Sequence, residues 1–184
     1  MHRVMLVDDE PNVLSALRRA LGGLGISADE RMRLEIETFD TPEAALARAR
    51  TTPFDLVVSD YRMPSMNGVE FLEQLLQVQP TIARLILSGY ADLQGLVEAI
   101  NRVQIFRFIG KPWHDVELKA AVKQALLHRD LMRENQRLAD LVRVQQGKLT
   151  RQEMELRRLE DQYPGITHVK RADDGSILIE DDDV

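Results

Sequence analysis

Asp55-Leu56-Val57-Val58-Ser59-Asp60-Tyr61-Arg62-Met63-Pro64 decides the architecture. A run of β-favouring apolar residues, then a small hydroxyl residue, an acid and a nearby proline, reads as a short strand buried on both faces. Its carboxyl end breaks into a turn that carries Asp60. The pattern recurs on either side. Strands are expected near Arg3–Val7, Arg33–Phe39, Asp55–Ser59, Arg84–Ser88 and Ile105–Ile109, and they alternate with helix-patterned segments near 11–22, 42–50, 68–78, 92–102 and from 115 onward. Such alternation predicts an α/β domain: a parallel five-stranded sheet covered by helices on both faces, with its site at the carboxyl ends of the strands. The chemistry-bearing residues fall there. Asp8 and Asp9 follow the first strand, Asp60 ends the third, Ser88 ends the fourth, and Lys111 comes just past the fifth.

From residue 115 to Tyr163 there is no proline and one glycine, which predicts a single long helix. A heptad runs along its later part, with Leu131, Leu138, Gln145, Gln152 and Leu159 at d and Asn135, Val142, Leu149, Leu156 and Tyr163 at a. At about 1.5 Å per residue, 131–163 would form a rod of roughly 50 Å whose apolar seam is too narrow for a globular core. Pairing with a second copy fits better than docking on its own domain. A lone Asn at an a position is tolerated in parallel dimers, where the two amides bond across the axis and fix the register. Pro164-Gly165 stops the helix, and Thr167–Lys170 and Ile177–Glu180 flank a turn-rich segment that reads as a small hairpin. Three regions are expected: a globular domain at 1–127, a coiled-coil helix at 128–163, and a hairpin with an acidic tail at 164–184.

The composition, 44% hydrophobic and 29% charged, is that of a soluble globular protein, and no apolar run is long enough to span a bilayer. No basic leader precedes a secretory segment, so a cytoplasmic location is expected. Zero cysteines exclude thiolate chemistry and leave oxygen and imidazole ligands for any metal. Six of the 30 acidic residues lie in the stretch 172–184, which has no Lys or Arg, leaving 24 acidic against 24 basic residues elsewhere. A balanced body and an acidic tail lack the basic face that nonspecific nucleic-acid binding needs, so direct DNA binding is not expected.

Three carboxylates gathered at one sheet edge repel one another, and a divalent cation with oxygen ligands relieves this most simply. Magnesium, or manganese, is the natural candidate. With a metal on some phosphoryl oxygens, Lys111 and Ser88 can meet the others, and an aspartate carboxylate becomes a plausible nucleophile. Asp60 is the best placed. Taken singly, Asp8-Asp9 would pass for a helix cap, Lys111 for surface charge and Ser88 for a turn residue. Their position relative to Asp60 promotes them.

Four segments, Val7-Asp8-Asp9-Glu10, Ser59 through Gly68, Leu87-Ser88-Gly89-Tyr90 and Gly110-Lys111-Pro112, together resemble the receiver domain of two-component response regulators over about residues 1–127. The resemblance implies a flavodoxin-like, doubly wound sheet of order 2-1-3-4-5. It implies Asp60 as phosphoacceptor and Asp8, Asp9, Asp60 and the Arg62 backbone carbonyl around the metal. Ser88 and Lys111 would then bind the phosphoryl group. Phe108 falls where an aromatic turns inward together with the serine, and the bond before Pro112 is expected to be cis. Phe replaces a common Tyr there, so any switch would rest on packing rather than on a hydroxyl. The segment Gly22–Arg33 is longer than usual for the family.

The expected role is a switch that receives its phosphoryl group from a histidine kinase or phosphotransfer protein and acts by binding, not by turnover. Residues Ser88–Trp113 are similar to receivers of regulators that carry an HD-GYP cyclic-di-GMP phosphodiesterase domain, but that domain is missing from the chain. A dimerisation adaptor that is never phosphorylated is an alternative. An aspartyl-nucleophile phosphatase is disfavoured, because Arg62 stands where such enzymes place a second acid. His128-Arg129-Asp130-Leu131-Met132-Arg133-Glu134-Asn135 matches a protein-kinase catalytic-loop string. The glycine-rich loop, strand lysine and Asp-Phe-Gly that a kinase needs are absent, so the match is read as plain helix.

Overall fold

The computed structural model describes residues 1–22, 33–89 and 103–162. Five parallel strands, β1 (His2–Val7), β2 (Leu34–Phe39), β3 (Leu56–Asp60), β4 (Ala83–Ser88) and β5 (Arg107–Gly110), form one sheet of order β2-β1-β3-β4-β5. Helices α1 (Pro11–Gly22), α2 (Pro42–Ala49), α3 (Gly68–Val78) and α4 (Asp115–Gln162) complete the described elements. The expected order 2-1-3-4-5 is the observed one, and strand boundaries move by no more than two residues. The expected helix at 92–102, most of the long segment Gly22–Arg33, Tyr163, and the hairpin and tail at 164–184 lie outside the described residues.

Burial on both faces explains why β1, β3 and β4 read as continuous apolar runs. Alternate residues feed two cores. Val4, Leu6, Leu56, Val58, Leu85 and Leu87 pack with α1 and with Leu118, Ala121, Val122, Ala125 and Leu126 of α4. Met5, Val7, Val57 and Ile86 pack on the other face with α2 and with Phe71, Leu72 and Leu75 of α3. Fully burying a Leu or Met side chain contributes roughly 1.5–3 kcal/mol, so these two layers dominate stability.

The chain divides into two compact units, Met1–Glu134 and Asn135–Val184, with α4 contributing to both. Within the second unit the helix is solvated: Leu138, Leu141, Val142, Leu156 and Leu159 are exposed at 40% or more. Among the described residues, the seam positions in that set are therefore open to solvent.

Candidate functional site

β1 and β3 are adjacent and in parallel register, Val7 opposite Ser59, so the residues just past their carboxyl ends are brought side by side. Asp8 is fully buried and Asp60 nearly so. Lys111 reaches them from the end of β5, its backbone N–H donating to the Ser88 carbonyl at 2.8 Å. The Lys111 ammonium lies 2.8 Å from Asp8 Oδ2 and 2.6 Å from Asp60 Oδ1. The other two carboxylate oxygens accept backbone bonds, Asp8 Oδ1 from the Glu10 N–H at 3.0 Å and Asp60 Oδ2 from the Arg62 N–H at 3.1 Å. The Lys111-Pro112 peptide is cis, as the resemblance implied.

The loop after Asp60 is held by its sequence. Asn67 caps α3, accepting from the Val69 and Glu70 N–H groups, while Glu70 accepts from the Asn67 N–H. This is a reciprocal capping box with Asn in place of Ser or Thr. The Gly68 N–H donates to the Tyr61 carbonyl at 2.8 Å. A Cβ on Gly68 would clash with the Asp60 carbonyl oxygen, so only glycine lets the helix start this close to the end of β3.

Two carboxylates share one ammonium here, which leaves a net negative charge in a largely buried setting. Burial pushes the Asp60 carboxyl above its ordinary value, and the nearby Asp8 charge adds to this; the bonds from Lys111 and Arg62 offset only part of it. For Lys111, burial alone would favour the neutral amine, but Asp60 and Asp8 outweigh it and raise its pKa. Such an oxygen-only, charge-rich pair suits a hard divalent cation. Among the described residues, however, no three acidic or imidazole side chains are close enough together to hold a metal unaided. Asp9 follows Asp8 but is exposed, and the Lys111 ammonium takes the bond to Asp8 that a metal or a metal-bound water would need.

Ser88 is buried at the end of β4, and its Oγ donates to the Gly89 carbonyl at 3.1 Å. Phe108, opposite Ile86 in the sheet, is half-buried against the α3-side core. The structure thus brings Asp8, Asp60 and Lys111 into one bonded cluster, while Asp9 is exposed and the Ser88 hydroxyl bonds to Gly89 instead. Spacing alone gave no sign that the lysine would bridge both acids. A salt bridge over that separation requires the fifth strand's place in the sheet to be known.

Fold and cluster define a doubly wound α/β domain with a carboxylate–ammonium centre at its carboxyl rim. The chain belongs to the response regulator receiver domain family, whose model matches residues 4–123. It is 35% identical over 136 residues to the hydrogenase transcriptional regulatory protein HoxA of Cupriavidus necator, covering 73% of this chain and 26% of HoxA. The chain thus spans about a quarter of that relative's length. Among solved structures it is similar to an uncharacterized protein from Neptuniibacter caesariensis, with 42% identity, a TM-score of 0.65, and coverage of 73% of this chain and 93% of that one. It is also similar to the signal receiver domain of an HD domain-containing protein from Pseudomonas fluorescens Pf-5, with 31% identity, a TM-score of 0.63, and coverage of 72% and 92%. No described helix is long and apolar enough to cross a membrane.

Proposed function

We propose that the protein is a cytoplasmic two-component response regulator in which Asp60 takes a phosphoryl group from the phosphohistidine of a kinase or phosphotransfer protein. The observation that carries this reading is the buried Asp60 carboxylate, 2.6 Å from Lys111 and beside buried Asp8. An Asp60 oxygen attacks phosphorus as the donor's P–N bond breaks, and the electron pair leaves on the imidazole nitrogen, which takes up a proton. Lys111 turns from the two carboxylates toward the incoming phosphoryl oxygens, and the Ser88 hydroxyl swings from Gly89 to donate to another. Asp8, Asp9, Asp60 and the Arg62 carbonyl would hold magnesium or manganese, which when bound supplies charge stabilisation to the phosphoryl oxygens.

The output is a dimer through 131–163, supported by the exposure of Leu131, Leu138, Val142, Leu156 and Leu159 at d and a positions. The helix face used to dock on the receiver, Leu118, Ala121, Val122, Ala125 and Leu126, is a different one. Signalling is by binding to a downstream protein rather than by turnover. The likeness to the receiver of an HD domain-containing protein supports a relation to regulators of that kind. Incubation with magnesium and acetyl phosphate tests the acceptor: wild type gains one phosphoryl group and Asp60→Asn gains none. Labelling of Asp60→Asn refutes the assignment, and an unlabelled wild type favours the adaptor reading.

A further inference from the structure

The kinase-like string at 128–135 has a structural use. At Arg129 the inward stripe of α4 turns polar. Arg129 Nη1 lies 2.7 Å from Asp55 Oδ1 and 3.4 Å from Asp130 Oδ1, with only 10% of its side chain exposed. Asp55 immediately precedes β3, and its Oδ2 accepts from the Arg3 N–H of β1 at 2.7 Å. His2, the first residue of β1, lies between the acids, its Nε2 3.6 Å from Asp130 and its Nδ1 3.9 Å from Asp55. The His128 ring lies over Phe106, just ahead of β5, with centroids 5.5 Å apart. Three consecutive residues of α4 thus meet the amino ends of β1, β3 and β5. These are the strands whose carboxyl ends bear Asp8, Asp60 and Lys111.

We propose that Arg129 and Asp55, flanked by His2 and Asp130, form a latch that fixes the root of α4 on the amino edge of the sheet. The apolar stripe 118–126 would hold the helix without specifying where that hold ends, since Leu127 and Leu131 are exposed on either side of Arg129. A buried guanidinium accepts few positions: it must keep its carboxylate, because an unpaired charge in that setting is costly. Its Nε has no hydrogen-bond partner among the described residues, so the group is held by its two carboxylates rather than by a saturated network. The latch therefore sets where the receiver's grip on the helix stops and the open seam begins. It rests on the reading of α4 as the output element.

Hydrogen exchange on the full chain tests this, using Arg129→Met, Asp55→Asn and the double variant. Asp55→Asn keeps an oxygen for the Arg3 N–H and serves if Arg129→Met fails to fold. The latch requires amides of Leu131–Glu134 to exchange about tenfold faster in each single variant, with 118–126 unchanged. It also requires the double variant to be no worse than the poorer single, because both remove one interaction. Unchanged protection at Leu131–Glu134, or additive losses in the double variant, overturns it. Acetyl-phosphate labelling of Asp60 persists in all three variants. Opening of the latch with no effect on dimerisation supports the latch and counts against the output reading instead.

Discussion

At Asp60, one side chain carries two opposed demands. Burial makes ionisation costly, whereas the proposed attack on phosphorus needs the carboxylate. Because its folded-state pKa lies above the ordinary 3.8, the folded state binds the proton more tightly than the unfolded chain. The sign follows from linkage: this group's contribution falls as pH rises from about 4 through the folded pKa. At neutral pH the ionised carboxylate weakens the fold. Asp60→Asn should therefore melt at a higher temperature than wild type at pH 7 without metal, with the gap closing toward pH 4; melts across that range check it. Gly68→Ala should cost about 2–4 kcal/mol in chemical denaturation and impair labelling, since the new Cβ meets the Asp60 carbonyl, a backbone atom with no room to yield. Gln104 has φ 49°, a left-handed conformation unfavourable for a residue with a Cβ. Gln104→Gly should raise stability by about 0.5–1 kcal/mol.

Elements separate what the sequence announces from what it conceals. The strands were legible because buried parallel strands are apolar throughout, and the acids and lysine because strand ends in this topology carry function. Less legible were polar contacts that depend on side-chain reach across the fold. Gln79 in a sequence is an unremarkable polar residue after a helix. Here its amide donates to the Ala49 and Thr52 carbonyls at 2.7 Å each and accepts from the Phe54 N–H at 2.8 Å, tying the end of α3 to the loop before β3. Gln79→Leu should cost about 2–4 kcal/mol, since three backbone groups lose partners at once. The heptad was readable as periodicity, and the pairing proposed for it needs a second chain. Replacing Leu138 and Leu156 with Glu should release monomers in light scattering. Asn135→Leu should raise thermal stability while loosening strand number.

For the molecule as a whole, the first compact unit ends at Glu134, within α4, whereas the resemblance covered about residues 1–127. Residues 128–130 contact β1 and the segments leading into β3 and β5, so a receiver cut at 127 loses a partly buried ion pair that one cut at 134 keeps. The shorter piece should be less stable by about 1–3 kcal/mol, while both remain mainly monomeric. The seam past Glu134 has a further consequence. If the proposed dimer forms there, the row of Leu and Val side chains exposed among the described residues makes the state of the molecule depend on abundance. In the proposed dimer two copies must collide before those side chains leave water, so the paired fraction would rise with expression level and fall on dilution. In a cell, then, phosphorylation of the proposed dimer would be read differently at low abundance than at high.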